Sequence, residues 1–377
     1  MLQNTTGRQR KILYVMDAFY GGERIGGTEG QVLQLLTHLD RNRFEPRLAL
    51  FRPTPYVEQA DALPCPVDLL HIDRLLTART AIKLLRLSAF IRRTRTDLVH
   101  IFLNDAAVAG PLFCRLGGAK VIVSRRDMGF WYTDSTLRVL RLTKWFVSRV
   151  IANSNAVRRN VHEREGYPLA QIDVCYNGHD PRRFDVEPLE TFREARRIGP
   201  GDPIIGMVAN FNPWKRHVDL VEAFARIQQQ HPRAHLVLVG TGATDECRDA
   251  VRRCGVESSV HFCGGVTDPI PIVKHFDVAV LCSESEGFSN SVIEYMGAGR
   301  ASVCTNVGGN AELIEDGQTG YLVDPFDVDA LARRISYLLA RPDVAQSMGQ
   351  RALTVAHRLT SRRMIEAHLE LYERLLQ

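Results

Sequence analysis

Glu286-Gly287-Phe288-Ser289-Asn290-Ser291-Val292-Ile293-Glu294 sets two carboxylates eight positions apart. An apolar run, Val278-Ala279-Val280-Leu281-Cys282, leads into this stretch, and a helical pattern follows from about Ser289 to Ala298. The spacing predicts Glu286 on a strand-to-helix loop and Glu294 one to two turns inside the helix. The first turn of a helix leaves backbone N–H groups unpaired, with a partial positive charge of about half a unit. That end is a ready seat for phosphate. Carboxylates on either side of such a seat suit hydroxyls flanking a diphosphate, a sugar on one side and a ribose on the other.

Outward from this stretch, short apolar runs alternate with helical patterns along the whole chain. The strand candidates are 11–16, 47–51, 98–102, 121–124, 149–153 and 173–176, then 204–209, 235–240, 260–263, 278–282, 301–305 and 320–323. Amphipathic helices are predicted between them, for example at 29–39, 81–93, 218–229 and 328–339. Such alternation predicts parallel sheets covered on both faces. Two sets predict two doubly wound Rossmann-like α/β domains facing across a cleft. The polar stretch 181–203, with Pro181, Pro188, Pro200 and Pro203, reads as the break between them. The expected division is 1–185, 186–360 and a terminal helix, 361–377, packing on the second domain or crossing back to the first. Doubly wound sheets bind ligands beyond the carboxyl ends of their strands, so the site is expected there, in the cleft.

The 377 residues are enough for two ordinary domains, and 45% hydrophobic with 24% charged is globular composition. No apolar run reaches the length of a membrane span. The polar first ten residues and the short strand after them predict no signal peptide. Eight cysteines without a Cys-x-x-Cys pair read as reduced core thiols of a cytoplasmic protein. The net charge of +5 is uneven, with arginines crowding the first half at Arg79, Arg86, Arg92, Arg93, Arg95, Arg115, Arg125, Arg126, Arg138, Arg141 and Arg149. These form either a solvated basic surface or one that meets anionic lipid or a phosphate-bearing acceptor. Nucleic acid is not expected, because no stacking platform or reader motif accompanies the charge. The histidines lack metal-ligand spacing, so no zinc is expected.

Further motifs follow strands. Gly26-Gly27-Thr28-Glu29 opens the first helix after a loop with Gly21-Gly22, but a G-x-G-x-x-G dinucleotide fingerprint is absent. Lys215 and Arg216, in Asn210-Phe211-Asn212-Pro213-Trp214-Lys215-Arg216, are placed to neutralise a diphosphate leaving group; an ordinary basic loop is the alternative. Arg125-Arg126-Asp127 ends a strand of the first half, where Asp127 can orient an acceptor hydroxyl and Arg126 contact phosphate or pair with Asp127. Asn177-Gly178 reads mainly as hinge geometry, and Ser154 as a helix cap.

Taken together, these motifs resemble the retaining glycosyltransferases of family 4, which have the GT-B architecture. The resemblance covers nearly the whole chain and is strongest from Ser283 to Val323. There the Glu-x7-Glu pair is followed by Gly308-Gly309-x-x-Glu312 and Asp316-Gly317-x-Thr319-Gly320. Weaker matches are the loop at Gly27, Asn153-Ser154, and Asn177-Gly178-x-Asp180 with Phe184. The resemblance implies that Glu286 holds hydroxyls of the donor sugar, with the backbone at Gly287, Phe288, Ser289 and Asn290 beside sugar and phosphates. It implies that Glu294 takes the ribose hydroxyls, that Lys215 binds the diphosphate, and that Gly27 approaches the phosphate from the first domain. Base recognition is expected through backbone around Gly265-Val266.

Also implied are a metal-free, cofactor-free transfer from a UDP- or GDP-linked sugar and retention of the anomeric configuration. The acceptor would be a glycan or lipid-linked molecule on the first domain, in cell-envelope or exopolysaccharide synthesis. The enzyme would be cytoplasmic, or peripheral at an anionic membrane surface. Two positions depart from the family pattern. Asn210 stands where the family commonly has an arginine, leaving Arg216 as substitute. Arg125-Arg126-Asp127 stands where the family often has a histidine, leaving Arg126 and Asp127 as acceptor-side candidates. A non-catalytic sugar-nucleotide-binding scaffold and a sugar-nucleotide epimerase remain as alternatives. Donor binding without turnover marks the first, and product formation without acceptor marks the second.

Overall fold

The computed structural model describes residues 8–21, 27–59 and 63–377. They form two compact units: the first runs to Tyr176 and takes in Ser361–Gln377, and the second is Asn177–Thr360.

The first unit is built on β1 (Arg10–Met16), β2 (Phe44–Leu50), β3 (Val67–Leu69), β4 (Leu98–Ile101), β5 (Lys120–Arg125), β6 (Arg149–Ala152) and β7 (Ile172–Val174). They form one parallel sheet in the order β3-β2-β1-β4-β5-β6-β7. Alternate residues of β1 serve opposite faces, as the pleat requires. Leu13 and Val15 pack with Leu84, Leu87 and Ile91 of the helix Ala78–Thr94. Ile12, Tyr14 and Met16 pack with Val32, Leu35 and Leu36 of the helix Gly27–His38. On that second face the terminal helix Ser361–Leu376 adds Met364, Ile365, Leu371 and Tyr372.

A buried polar chain fastens this terminal helix. The His100 ring contacts Tyr372 Oη at 2.7 Å through Nδ1 and Ser124 Oγ at 2.8 Å through Nε2. His368, on the same helix, contacts the Met364 carbonyl at 2.8 Å, while its buried Nε2 has no hydrogen-bond partner among the described residues. Burial lowers the His368 pKa to about 4 and drives that of His100 well below the usual value. Unfolded imidazoles titrate near about 6.5. Between that value and the depressed folded values the unfolded chain binds more protons, so stability falls as pH drops from 6.5 towards 4. Each ring contributes about 1.4 kcal/mol per pH unit. Urea unfolding at stepped pH should show this slope, and His368→Leu should flatten it by about one proton. An unchanged slope in that variant would refute the assignment.

The second unit contains β8 (Ile204–Val208), β9 (His235–Val239), β10 (Val260–Phe262), β11 (Val278–Leu281), β12 (Ser302–Thr305) and β13 (Tyr321–Val323). Its parallel order is β10-β9-β8-β11-β12-β13. β8 and β11 are wholly buried, as continuous apolar runs in a two-sided parallel sheet should be. The strand order reverses between β8 and β11, and such a switch point opens a crevice at the carboxyl ends. The loops leaving those two strands carry Lys215 and Glu286.

The structure corrects the expected break at 181–203. That stretch packs on the second unit, because Phe184, Phe192 and Ile198 bury themselves in its core. The division falls after Tyr176 instead of after residue 185. β3 was not foreseen; its residues Val67-Asp68-Leu69 put a charged side chain inside a three-residue strand and form no apolar run. No helix among the described residues is long and apolar enough to cross a membrane.

Candidate active site

The loop after β11 is pinned from both sides. Glu284 N donates to Trp214 O, in the loop after β8, at 2.9 Å. On the other side Gly309 N donates to Gly287 O at 3.1 Å, and Thr305 Oγ1 to Ser283 O at 2.5 Å. The helix Asn290–Gly297 then starts on Ser289, whose side chain accepts from Val292 N at 3.3 Å. Phe288 is buried and anchors the turn. A fixed loop and a capped helix hold the backbone at Gly287, Phe288, Ser289 and Asn290 in one conformation, with the positive end of the helix at the crevice.

Lys215 closes a short turn, Pro213–Lys215, and its Nζ lies 2.5 Å from Glu286 Oε1. The Glu286 side chain is only 9% exposed, so its charge is matched chiefly by this ammonium. Glu294, buried on the helix, pairs through Oε1 with Arg183 Nη2 at 2.9 Å. Arg183 also holds Asp268 Oδ1 at 2.9 Å. The structure thus brings Lys215 and Glu286 together and supplies Glu294 with a cation that the sequence reading missed.

Arg216 behaves otherwise. Its backbone is left-handed, with φ 56°, and its guanidinium makes two bonds to Asp219, at 3.0 and 2.7 Å. It also lies 4.9 Å from the Phe326 ring centre. Asn210 accepts from Thr241 N at 3.2 Å and Thr241 Oγ1 at 3.1 Å. Val266 is packed against the core, in the loop that follows β10. Among the described residues no group of three or more His, Cys, Asp or Glu is placed to hold a metal ion.

In the first unit Gly27 begins the helix Gly27–His38, while Gly22 and Gly26 lie outside the described residues. Arg126, just past β5, is half-buried; burial lowers its pKa to about 10 against the pull of Glu29. Burial raises the pKa of Glu29, and Arg126 opposes that rise. The motif after β1 and the end of β5 are thereby electrostatically linked. Asp127 does not pair with Arg126 as one sequence reading allowed. Its Oδ1 accepts from Gly129 N at 2.6 Å and Trp131 Nε1 at 3.1 Å, so it forms a turn. Burial raises its pKa. The ion pair here is Arg125 with Glu165, at 2.7 Å through both oxygens. Forty positions separate those two residues, and nothing local in the sequence couples them. Ser154 is a helix cap, accepting from Val157 N at 3.0 Å.

Residues 25–183 match the family model described as Glycosyltransferase Family 4, and residues 189–355 the model described as Glycosyl transferases group 1. A Bacillus subtilis protein described as "Putative glycosyltransferase EpsD" is 31% identical over 333 residues, covering 84% of this chain and 85% of that protein. The crystal structure of a glycosyltransferase from Rickettsia africae ESF-5 superposes with a TM-score of 0.86 at 21% identity, covering 98% of this chain and 100% of that one. That of Anabaena Alr3699/HepE in complex with UDP-glucose gives 0.83 at 22% identity, covering 97% and 99%.

Proposed function

The chain belongs to the glycosyltransferases of the family 4 and group 1 type, with the GT-B fold, and we propose that it transfers a sugar from a nucleoside-diphosphate sugar to a hydroxyl acceptor with retention of configuration. The observation that carries this reading is the Lys215–Glu286 pair at the β8/β11 switch point, with Glu294 buried eight positions on. With no donor, the ammonium and the carboxylate neutralise each other. A donor replaces that contact: its diphosphate takes Lys215, and its sugar hydroxyls take Glu286. The helix end at Ser289 adds oriented amides beside the phosphates, and Glu294 takes the ribose hydroxyls. A structure of the same fold was crystallised with UDP-glucose, which favours a UDP-linked sugar over a GDP-linked one.

In the transfer step the acceptor oxygen forms a bond to the anomeric carbon on the face from which the diphosphate oxygen departs. The bond from that carbon to the diphosphate breaks, and its electrons leave with the nucleoside diphosphate. The departing phosphate oxygen takes the acceptor proton, so the step needs neither a side-chain base nor a metal. Lys215 and the helix end face the charge that grows on the leaving group, where preorganised donors act most strongly.

Glu286→Gln keeps the shape and removes the charge that grips the sugar. A hydrogen bond to a charged group is worth about 1.5–3 kcal/mol, so turnover should fall about 10- to 100-fold. The same assay, read by NMR of the product's anomeric proton, should show the donor's configuration. Wild-type turnover in the variant would reject the role of Glu286, and inversion would reject the mechanism.

We assign the acceptor to the first unit, beside Arg126. The helix Ala78–Thr94 in that unit carries Arg79, Lys83, Arg86, Arg92 and Arg93 and no acidic residue, which suits an acceptor presented at an anionic membrane surface. Co-sedimentation with anionic but not neutral vesicles is expected. Equal, negligible binding to both would remove the membrane from the proposal.

A further inference from the structure

The segment Asn177–Phe184 lies against the stretch from Phe288 to Gly297 and contacts it at several points. At its start Asn177 Nδ2 donates to Phe288 O at 3.1 Å and to Asn290 Oδ1 at 2.8 Å. At its end the Phe184 ring covers Gly297, where any Cβ would collide with the ring. Between these anchors sits Arg183. Its Nη2 lies 2.9 Å from Glu294 Oε1 and 2.9 Å from Asp268 Oδ1, and its Nε 3.2 Å from the same Asp268 oxygen.

Asp268 belongs to the loop after β10 that also carries Gly265-Val266, and its Oδ1 accepts from Ile270 N at 3.1 Å, which closes that loop. One guanidinium therefore ties two different walls together, the helix that carries Glu294 and the loop that follows β10. The Glu294 side chain is 10% exposed. A carboxylate that deep takes its orientation from the groups it pairs with, and a planar guanidinium fork is well suited to fix it.

We propose that Arg183 is a positioning residue for the nucleotide: it aims Glu294 at the ribose hydroxyls and holds the Asp268 loop at the distance the nucleoside requires. This rests on the reading that Glu294 faces the ribose. Arg183 itself need not touch the donor.

The test titrates UDP, GDP and ADP into the wild-type chain by calorimetry, then the 2′-deoxy and 3′-deoxy forms of the tightest binder. Glu294→Ala, Arg183→Ala, Arg183→Lys and the Glu294→Ala/Arg183→Ala double variant follow. Arg183→Ala should weaken binding about tenfold and erase the preference for the ribonucleotide over its deoxy forms. Arg183→Lys should keep part of both, and the second substitution should add less than about twofold in the Glu294→Ala background. A purely structural arginine would lower the melting temperature and leave the ribo-to-deoxy ratio intact, which overturns the proposal. If Arg183→Ala does not fold, an Arg183→Lys protein with wild-type affinity and ratio overturns it equally. If Glu294→Ala binds as the wild type does, or no nucleotide binds the wild type, the ribose reading itself fails. Loss in Glu294→Ala with none in Arg183→Ala sinks only the positioning role.

Discussion

Lys215→Ala should lower donor turnover at saturation by about 10²–10³-fold, the usual cost of removing one well-placed donor from a site where negative charge develops. Lys215 meets the conditions for an effect of that size. Its ammonium is held 2.5 Å from a nearly buried carboxylate, so it is oriented before the donor arrives and costs little reorganisation during the reaction. Its removal also leaves Glu286 without its partner in a poorly solvated place, which disorders the carboxylate proposed to hold the sugar. Lys215→Arg restores the charge but not the compact shape, and should recover only part of the rate. Arg216 should not compensate, because Asp219 and Phe326 hold it. Release of nucleoside diphosphate measures the effect. A rate within about threefold of wild type would mean that Lys215 does not bear on the leaving group.

Glu165→Ala should destabilise the first unit by about 3–5 kcal/mol, the cost of stranding one charge of a buried pair. Arg125 and Glu165 are 5% and 0% exposed, and the Tyr132 hydroxyl also donates to Glu165. Without the carboxylate, the guanidinium loses both of its 2.7 Å bonds, while its Nη1 already lacks a partner among the described residues. Replacing both members by apolar residues, as in Arg125→Met/Glu165→Leu, should recover most of the loss, since the pair's own desolvation is then avoided. Chemical denaturation followed in the first unit distinguishes the cases. A loss below about 1 kcal/mol in Glu165→Ala would show that water reaches the pair.

How much of this was legible in the sequence depended on distance along the chain. Glu286, Glu294 and Lys215 could be singled out as candidates because each sits beside a strong local pattern, an apolar strand ending in a loop and then a helix. Most parallel strands were visible for the same reason. Arg183 and Glu165 were not, since their partners lie 111 and 40 positions away, as Glu294 and Arg125 do, and contacts at that range leave no periodic trace. Asn177 was read as a hinge from its turn-forming neighbour Gly178. It does stand where the two units divide, and its side chain in addition grips Phe288 O, a partner that only the tertiary fold supplies. For Arg216, one position after Lys215, the sequence did not reveal its partner Asp219, which its guanidinium meets at 2.7 Å. Asp127 read as a candidate from its place at a strand end, and the structure spends its Oδ1 on the Gly129 turn.

A thermal-shift screen of UDP-, GDP- and ADP-sugars against the wild type, Lys215→Ala and Glu294→Ala probes the donor site most directly. One nucleotide series should raise the wild-type midpoint by several degrees, since a ligand at about 100 times its Kd adds about 2.7 kcal/mol of stability. Both variants should lose about half of that rise or more. No shift with any sugar nucleotide, or equal shifts in all three proteins, would contradict a donor held between Lys215, Glu286 and Glu294.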